Sequence, residues 1–424
     1  MEAGLCAGLR TKPTGSWHGA LGLSITEARP ISEAALTTVL VPRERRSGET
    51  RVAATPETVK RLLARGARVW IEAEAGRAAG YSDAAFNEAG AEVFPTSESL
   101  ERWRQADVVL SVQAPLLSSE GGDGRLEALP AGSLVLGLLD PYRNQALIDQ
   151  LELGRVSSLA LELLPRISRA QAMDVLSSQA NIAGYKAVLL AAAALDRFFP
   201  MLMTAAGTVQ PAKVVVLGAG VAGLQAVATA RRLGAVVRVS DVRPAAREQV
   251  ESLGARFIEP PQLEEAPGEA GGYAREAGAV FQEAQRQILA KQLEDADVVI
   301  CTAQVPGRPA PLLITEEMLA GMRPGSVVVD LAVAQGGNCA SSRADAEEWV
   351  GGVLVIGAGN LAATVPQHAS ALYARNLAAL LEVVLKEGTI HIDPEDPLLD
   401  PCLLTHGGAC RRPDLRPART EATA

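Results

Sequence analysis

The chain has 424 residues, 48% of them hydrophobic, which suffices for two or three packed domains and excludes global disorder. A formal charge of -9 and a pI near 5.2 argue against a protein that grips nucleic-acid phosphates, and 4% aromatics leave few stacking platforms for single strands. The five cysteines (Cys6, Cys301, Cys339, Cys402 and Cys410) form no CxxC pair, which fits a reducing compartment and no metal site.

Residues 1–38 lack the basic start and compact apolar run of a signal peptide and read as a disordered extension or a start-site artefact. No segment reaches the roughly 18 uninterrupted apolar residues of a membrane helix. The nearest, Ala187 to Ala206, is interrupted by Asp196, Arg197 and Pro200. The chain is expected to be soluble by itself, with any membrane link made through a partner.

A first block starts with the apolar strand Val39–Val41, followed by a polar loop, Pro42 to Thr50. Pro56 to Arg65 reads as a helix with Pro in its first turn and Val59, Leu62 and Leu63 on one face. Strand Ala67–Ile71, helix Asp83–Ala89 and strand Glu92–Phe94 continue the alternation, and Asp107–Ser111 and Leu134–Leu138 are further buried-type strands. Strands alternating with helices imply a parallel α/β sheet. A second block has strands Val214–Leu217, Val236–Val239, Arg256–Ile258, Asp297–Cys301 and Val327–Asp330. The Ala/Leu-rich helix Gln367 to Lys386 is expected to pack back on the first block. The expected architecture is α/β: two Rossmann-like parallel-sheet domains separated by a cleft. The N-terminal domain is discontinuous (39–165 plus 367–392), 166–366 form the nucleotide domain, and 393–424 are a tail.

Gly218-Ala219-Gly220-Val221-Ala222-Gly223 follows the strand Lys213–Leu217 and opens a helix running to about Leu233. In that context GxGxxG is a dinucleotide fingerprint. Gly218 allows the tight turn, Gly220 lets a pyrophosphate approach the backbone, and Gly223 permits close helix–strand packing. The helix N-terminus offers the phosphates free N–H groups and a positive dipole end. The next strand ends Val239-Ser240-Asp241-Val242-Arg243. Asp241 stands where a carboxylate meets the adenosine ribose hydroxyls and repels a 2′-phosphate, so NAD(H) is favoured, although Arg243 is of the type that accepts that phosphate. Ile356-Gly357-Ala358-Gly359-Asn360 also follows a strand but has no third glycine in register, and reads as a turn.

Gln171, Asp174, Ser177 and Ser178 recur at helical spacing and predict one polar stripe at the mouth of the interdomain cleft. The stretch Pro260 to Val280, with four glycines and the single aromatic Tyr273, reads either as a disordered insertion or as a lid.

Several segments together resemble one family, the alpha subunit, domain I, of proton-translocating NAD(P) transhydrogenases. They are Val41 to Glu44, Glu49 to Pro56, Arg166 to Tyr185, Gly218 to Gly254, Gly272 to Ala274, Pro306 to Pro311 and Asp330 to Cys339. The resemblance spans about residues 39 to 392 and implies site roles. Arg166, Gln171, Asp174 and Ser177 would meet the nicotinamide end of NAD(H), with Gln171 holding the dihydronicotinamide. Gly272 and Tyr273 would belong to a mobile loop, 260–280, that closes over the nucleotide. Asp241, Val242 and Arg243 would meet the adenosine half. It also implies NADP(H) on a partner subunit, membrane-spanning partners, a homodimer, Si–Re specific transfer, and a peripheral place on the cytoplasmic face of the inner membrane. Gly357-Ala358-Gly359-Asn360-Leu361 departs from the family's usual Gly-Tyr-Thr-Asp-Leu.

The nearest alternative of the same architecture is an alanine dehydrogenase. That reaction needs a cation for the substrate carboxylate and a group that handles a proton. The family supplies a lysine from Lys-Val-Lys-Glu-Pro, where this chain has Ser111-Val112-Gln113-Ala114-Pro115. The histidines, His18, His368, His391 and His406, fall outside the Leu138-Leu139-Asp140 stretch where the catalytic one is expected. Hydride exchange between two nicotinamides has no such requirement.

Overall fold

The computed structural model describes residues 36–261, 279–305 and 307–416. Two large sheets organise them. The first contains β1 (Thr38–Val41), β2 (Arg68–Glu72), β3 (Glu92–Phe94), β4 (Val108–Gln113), β5 (Leu134–Leu138) and β6 (Ser157–Ala160), all parallel. An antiparallel hairpin, β7 (Leu202–Thr204) and β8 (Gly207–Val209), precedes the second sheet. That sheet comprises β9 (Lys213–Leu217), β10 (Val236–Ser240), β11 (Arg256–Ile258), β12 (Val298–Cys301), β13 (Val327–Asp330), β14 (Glu347–Val350) and β15 (Val353–Gly357). A small ribbon, β16 (Leu385–Lys386) and β17 (Thr389–Ile390), follows, and then β18 (Leu403–His406) and β19 (Ala409–Cys410).

The order of the second sheet is β11-β10-β9-β12-β13-β15-β14, so strand order reverses between β9 and β12. The order of the first is β19-β18-β6-β5-β4-β1-β2-β3, with its reversal between β1 and β4. Val214, Val215, Val216 and Leu217 are fully buried, as a central parallel strand covered on both faces requires. The short helix Pro56–Ala64 starts at Thr55, whose side chain and that of Thr58 cap each other's backbone, with Pro56 in the first turn.

Three expectations change. Residues 393–416 of the expected tail 393–424 are part of the fold. Leu398, Leu399, Cys402, Leu403 and Leu404 are at most 2% exposed, and β18 lies antiparallel to β6, between it and the edge strand β19 of the first sheet. Prolines and aspartates around this stretch hide a strand whose partner is more than 200 residues away. Thr37 and Thr38, expected in the extension 1–38, belong to the fold: Thr38 opens β1, and Thr37 donates to the Gly388 carbonyl from both its N–H (3.1 Å) and its hydroxyl (2.6 Å). The boundary at 165/166 also moves. Ala170, Met173 and Val175 are in the core of the first sheet, whereas Ala187, Val188 and Ala191 are in that of the second. The long helix Val175–Ala194 therefore belongs to both bodies. Tyr373, Leu377 and Leu381, on the helix Pro366–Val384, also lie in the first core.

Candidate functional site

The glycine turn is built by close packing on one side and open space on the other. Gly218 has φ +99, and its N–H donates to the Ser240 carbonyl at 2.8 Å. A Cβ on Gly223 would overlap the Gly218 carbonyl oxygen, so the helix Val221–Arg232 can approach the turn only without a side chain there. Gly220 differs: nothing lies within 4 Å of where its Cβ would be. It is the N-cap of that helix and supplies no capping side chain. The first-turn N–H groups are thus left for a ligand, the arrangement a pyrophosphate requires.

Residues the sequence reading did not single out hold this turn. The Thr302 hydroxyl donates to the carbonyls of Leu217 (3.1 Å) and Gly218 (3.0 Å). Asn338 bonds both the N–H and the carbonyl of Ala303 at 3.0 and 2.8 Å. Asp330, at the end of β13, accepts the N–H groups of Ala332, Asn338 and Cys339. Burial raises its carboxyl above the ordinary range in spite of those donors.

Asp241 follows β10 directly, and its carboxylate accepts four hydrogen bonds. It accepts from Ala219 N (2.7 Å), Arg243 N (2.8 Å), Arg243 Nε (2.9 Å) and Arg243 Nη2 (2.9 Å). Burial works to raise this carboxyl, but the guanidinium and the two N–H groups outweigh it and hold it below the usual range. The two residues that sequence reasoning set against each other therefore form one ion pair, and Asp241 directs the Arg243 side chain.

The polar stripe is not a continuous helix. Ser168–Met173 form a 3-10 turn, and the α-helix begins at Val175 with Asp174 as its N-cap. Asp174 accepts from Ser177 N at 2.9 Å and Ser177 Oγ at 2.5 Å, so the two behave as a capping unit. Helical spacing alone could not show the break, because Asp is a far better cap than mid-helix residue. Gln171 projects from the 3-10 turn and is exposed. Arg166 is also exposed. Gly272 and Tyr273 lie outside the described residues.

The largest omission of the sequence reading is a buried polar network between the two sheets. Arg51 grips Glu49 through Nε (2.7 Å) and Nη2 (2.6 Å), with their side chains 3% and 1% exposed. Arg51 also donates to Gln179 (2.9 Å) and Asn360 (3.2 Å), while Gln113 and Asn360 donate to Glu49 at 3.0 and 3.2 Å. Burial tends to raise the Glu49 carboxyl, yet the Arg51 guanidinium outweighs it and keeps it ionised. Asn360 comes from the segment read as a turn; it is followed by the 3-10 turn Leu361–Thr364 and only then by the helix Pro366–Val384. As an amide it both accepts from Arg51 and donates to Glu49, which the family's usual aspartate cannot do. Gln113, in the segment that carries the lysine in alanine dehydrogenases, is an internal hydrogen-bond donor here.

Loops beyond the first sheet reach those of the second. The Tyr142 ring lies against Gly307, where a Cβ would come within 2.6 Å of it, and Arg143 Nη1 donates to the Ala334 carbonyl. Among the described residues His391 bonds Thr389 and His406 bonds Ser157, both remote in sequence from the glycine turn.

Known proteins share this architecture. The N-terminal domain of the alanine dehydrogenase/PNT family matches residues 40–183, and its C-terminal domain matches 187–413. The chain is 45% identical over 380 residues to the first part of the NAD(P) transhydrogenase alpha subunit of Rhodospirillum rubrum, covering 89% of this chain and 98% of that one. It is similar to the crystal structure of transhydrogenase from Sinorhizobium meliloti, with a TM-score of 0.78, 45% identity, and 88% and 99% of the two chains covered. Alanine dehydrogenase of Mycobacterium tuberculosis is more distant, 30% identical over 377 residues, 87% of this chain and 93% of that one.

Proposed function

The chain belongs to the alanine dehydrogenase/PNT family and is more similar to the two transhydrogenase relatives described above than to the alanine dehydrogenase; on that premise we propose that it is the NAD(H)-binding component of a proton-translocating transhydrogenase. NADH is its substrate, and the hydride goes directly to NADP⁺ held on another subunit. The uncapped helix N-terminus behind Gly220, with open space in front of it, carries this reading.

In this reading the pyrophosphate lies against the N–H groups of Val221, Ala222 and Gly223, and the adenosine ribose meets Asp241. The ring is oriented by Arg166, Gln171 and the Asp174–Ser177 cap. The side-chain amide of Gln171 donates to and accepts from a carboxamide without taking a proton, as a reaction with no acid–base step requires. What the residues supply is orientation and exclusion of water; the nicotinamide supplies the hydride chemistry. Gly272 and Tyr273 are assigned by resemblance alone. Proton translocation belongs to membrane-spanning partner subunits, and within the complex this chain sits on the cytoplasmic face of the membrane. No helix among the described residues is long and apolar enough to cross a membrane.

The homodimer is part of the same reading. Met201, Leu202, Met203 and Val209, on and beside the hairpin β7–β8, are 37–74% exposed, and a second copy of the chain would cover them. An alanine dehydrogenase activity is not favoured, since Gln113 and Arg51 are both bound to Glu49.

The test is reconstitution. The chain is mixed with an NADP(H)-binding transhydrogenase subunit, and transfer from NADH to an acetylpyridine analogue of NADP⁺ is followed. Activity that depends on the partner supports the proposal. Alanine-dependent NADH formation by the chain alone, or NADH binding with no transfer, overturns it.

A further inference from the structure

The helix Val175–Ala194 carries a buried glycine in its interior, Gly184, and no positive φ accounts for it. Glycine is among the poorest helix formers, so one buried in mid-helix points to a contact that excludes a side chain. That contact is the backbone of Ala222. A Cβ on Gly184 would stand 2.0 Å from the Ala222 carbonyl oxygen, 2.8 Å from its carbonyl carbon and 2.9 Å from its Cα. Ordinary contact begins at about 3.4 Å, so an added methyl group would drive the two segments apart by about 1 Å or more.

Ala222 is the second residue of the helix Val221–Arg232, whose N-cap is Gly220. The crossing therefore falls on the first turn of that helix, the turn whose N–H groups stand behind Gly220. Gly223 closes the same turn on another side, against the Gly218 carbonyl. Two glycines on different helices thus fix where this turn lies.

The start of the helix Val175–Ala194 is held by the first sheet. Val175 lies in that core, and Asp174 and Ser177 form the cap described above. Gln179 ties the same stretch down with both ends of its amide: Oε1 accepts from Arg51 at 2.9 Å, and Nε2 donates to the Ala369 carbonyl at 3.1 Å. From Ser177 to Gly184 is about two turns, roughly 10 Å of helix. One continuous element therefore carries both the cap and the contact with the glycine turn, which belong to different sheets.

We propose that Gly184 is a positioning residue. By letting the helix Val175–Ala194 meet the backbone of Ala222, it sets the separation between the pyrophosphate turn and the Asp174–Ser177 cap, and with it the place of the nicotinamide ring. The inference rests on the NADH reading above and deepens it. Gly184 acts on alignment rather than by touching the coenzyme, and about 1 Å of misplacement costs on the order of a hundredfold in a reaction that depends on geometry.

Gly184→Ala tests this in the full chain, with an NADP(H)-binding transhydrogenase subunit as partner. ADP reports on the adenosine and pyrophosphate end alone. Its affinity by calorimetry should stay within about threefold of the parent's, while hydride transfer at saturating NADH falls about a hundredfold. Val188→Ala is the control for lost packing. Val188 is fully buried in the core of the second sheet, so its truncation should lower the thermal midpoint while transfer stays within about twofold of the parent's. Ala187→Ser, one turn beyond Gly184 on the same face, is a milder wedge that carries the comparison if Gly184→Ala does not fold. It should slow transfer about threefold or more with ADP binding kept. Rate and ADP affinity falling in step, a variant rate equal to the parent's, or an equal loss of rate in Val188→Ala overturns the role of Gly184. A parent chain that binds NADH and transfers nothing sinks the transhydrogenase reading itself, and this inference with it, before any variant is compared.

Discussion

Arg51 donates to the Asn360 side-chain oxygen at 3.2 Å, joining a segment after the first strand of one sheet to the segment after β15 of the other. The contact is one edge of a buried network centred on the ion pair of Arg51 and Glu49. Such a pair is held by its complete set of hydrogen bonds rather than by charge attraction alone. Asn360→Ala removes one bond to each partner and should lower unfolding stability by about 1–3 kcal/mol. Arg51→Leu leaves Glu49 buried and uncompensated and should cost about 3–5 kcal/mol. Urea unfolding at pH 7 checks both; equal midpoints in parent and Asn360→Ala would mean that the network carries no stability.

Two glycines of the fingerprint should respond in opposite ways to the same added methyl group. Gly220→Ala meets no atom in the free protein, so stability should be unchanged while NADH affinity falls about tenfold or more, the pyrophosphate being displaced from the helix end. Gly223→Ala drives a Cβ into the Gly218 carbonyl and should destabilise by about 1–3 kcal/mol. Thermal unfolding and fluorescence titration with NADH separate the two effects.

Asp241→Asn tests whether the carboxylate controls Arg243. Loss of the charge frees the guanidinium to meet a 2′-phosphate and removes the repulsion against it. The ratio of NADH to NADPH affinity should fall about tenfold or more. An unchanged ratio would show that the pair does not set coenzyme choice.

Gln171→Asn shortens the amide by one methylene without changing its chemistry. With the partner subunit present, hydride transfer should slow about tenfold or more while NADH affinity changes by less than about threefold. Equal losses in rate and affinity would count against an orienting role.

Stability should also depend on pH through two carboxyl groups. Burial raises Glu44 to about 8 and Glu162 to about 7 in the fold, from an ordinary value of 4.5. Between those values the folded state holds protons that the unfolded chain has released, so stability from these groups is full below about pH 4.5 and falls as pH rises toward 8. Each contributes a slope of at most about 1.4 kcal/mol per pH unit. Urea midpoints at pH 5, 6.5 and 8 should decline, and Glu44→Gln should flatten the decline. A parent profile that rises across this window would contradict the assignment.

Local pattern determined much of this protein. Runs such as Lys213–Leu217 and Val327–Asp330 are strands because branched apolar side chains covered on both faces fit a central parallel sheet. Gly218, Gly220 and Gly223 mark the nucleotide turn: the first has a positive φ, the third a contact that excludes a Cβ, and the second leaves room for a ligand. The break at Asp174 is partly legible, since aspartate is a natural cap, but spacing alone favours a continuous stripe. The tertiary structure alone decided the rest. The β18 strand pairs with β6 across more than 200 residues, and Gln113, Gln179 and Asn360 converge on the Glu49–Arg51 pair from three distant segments. No local preference encodes such meetings, because burying these charged and polar groups is costly and is offset only by hydrogen bonds between groups that touch after the chain has folded.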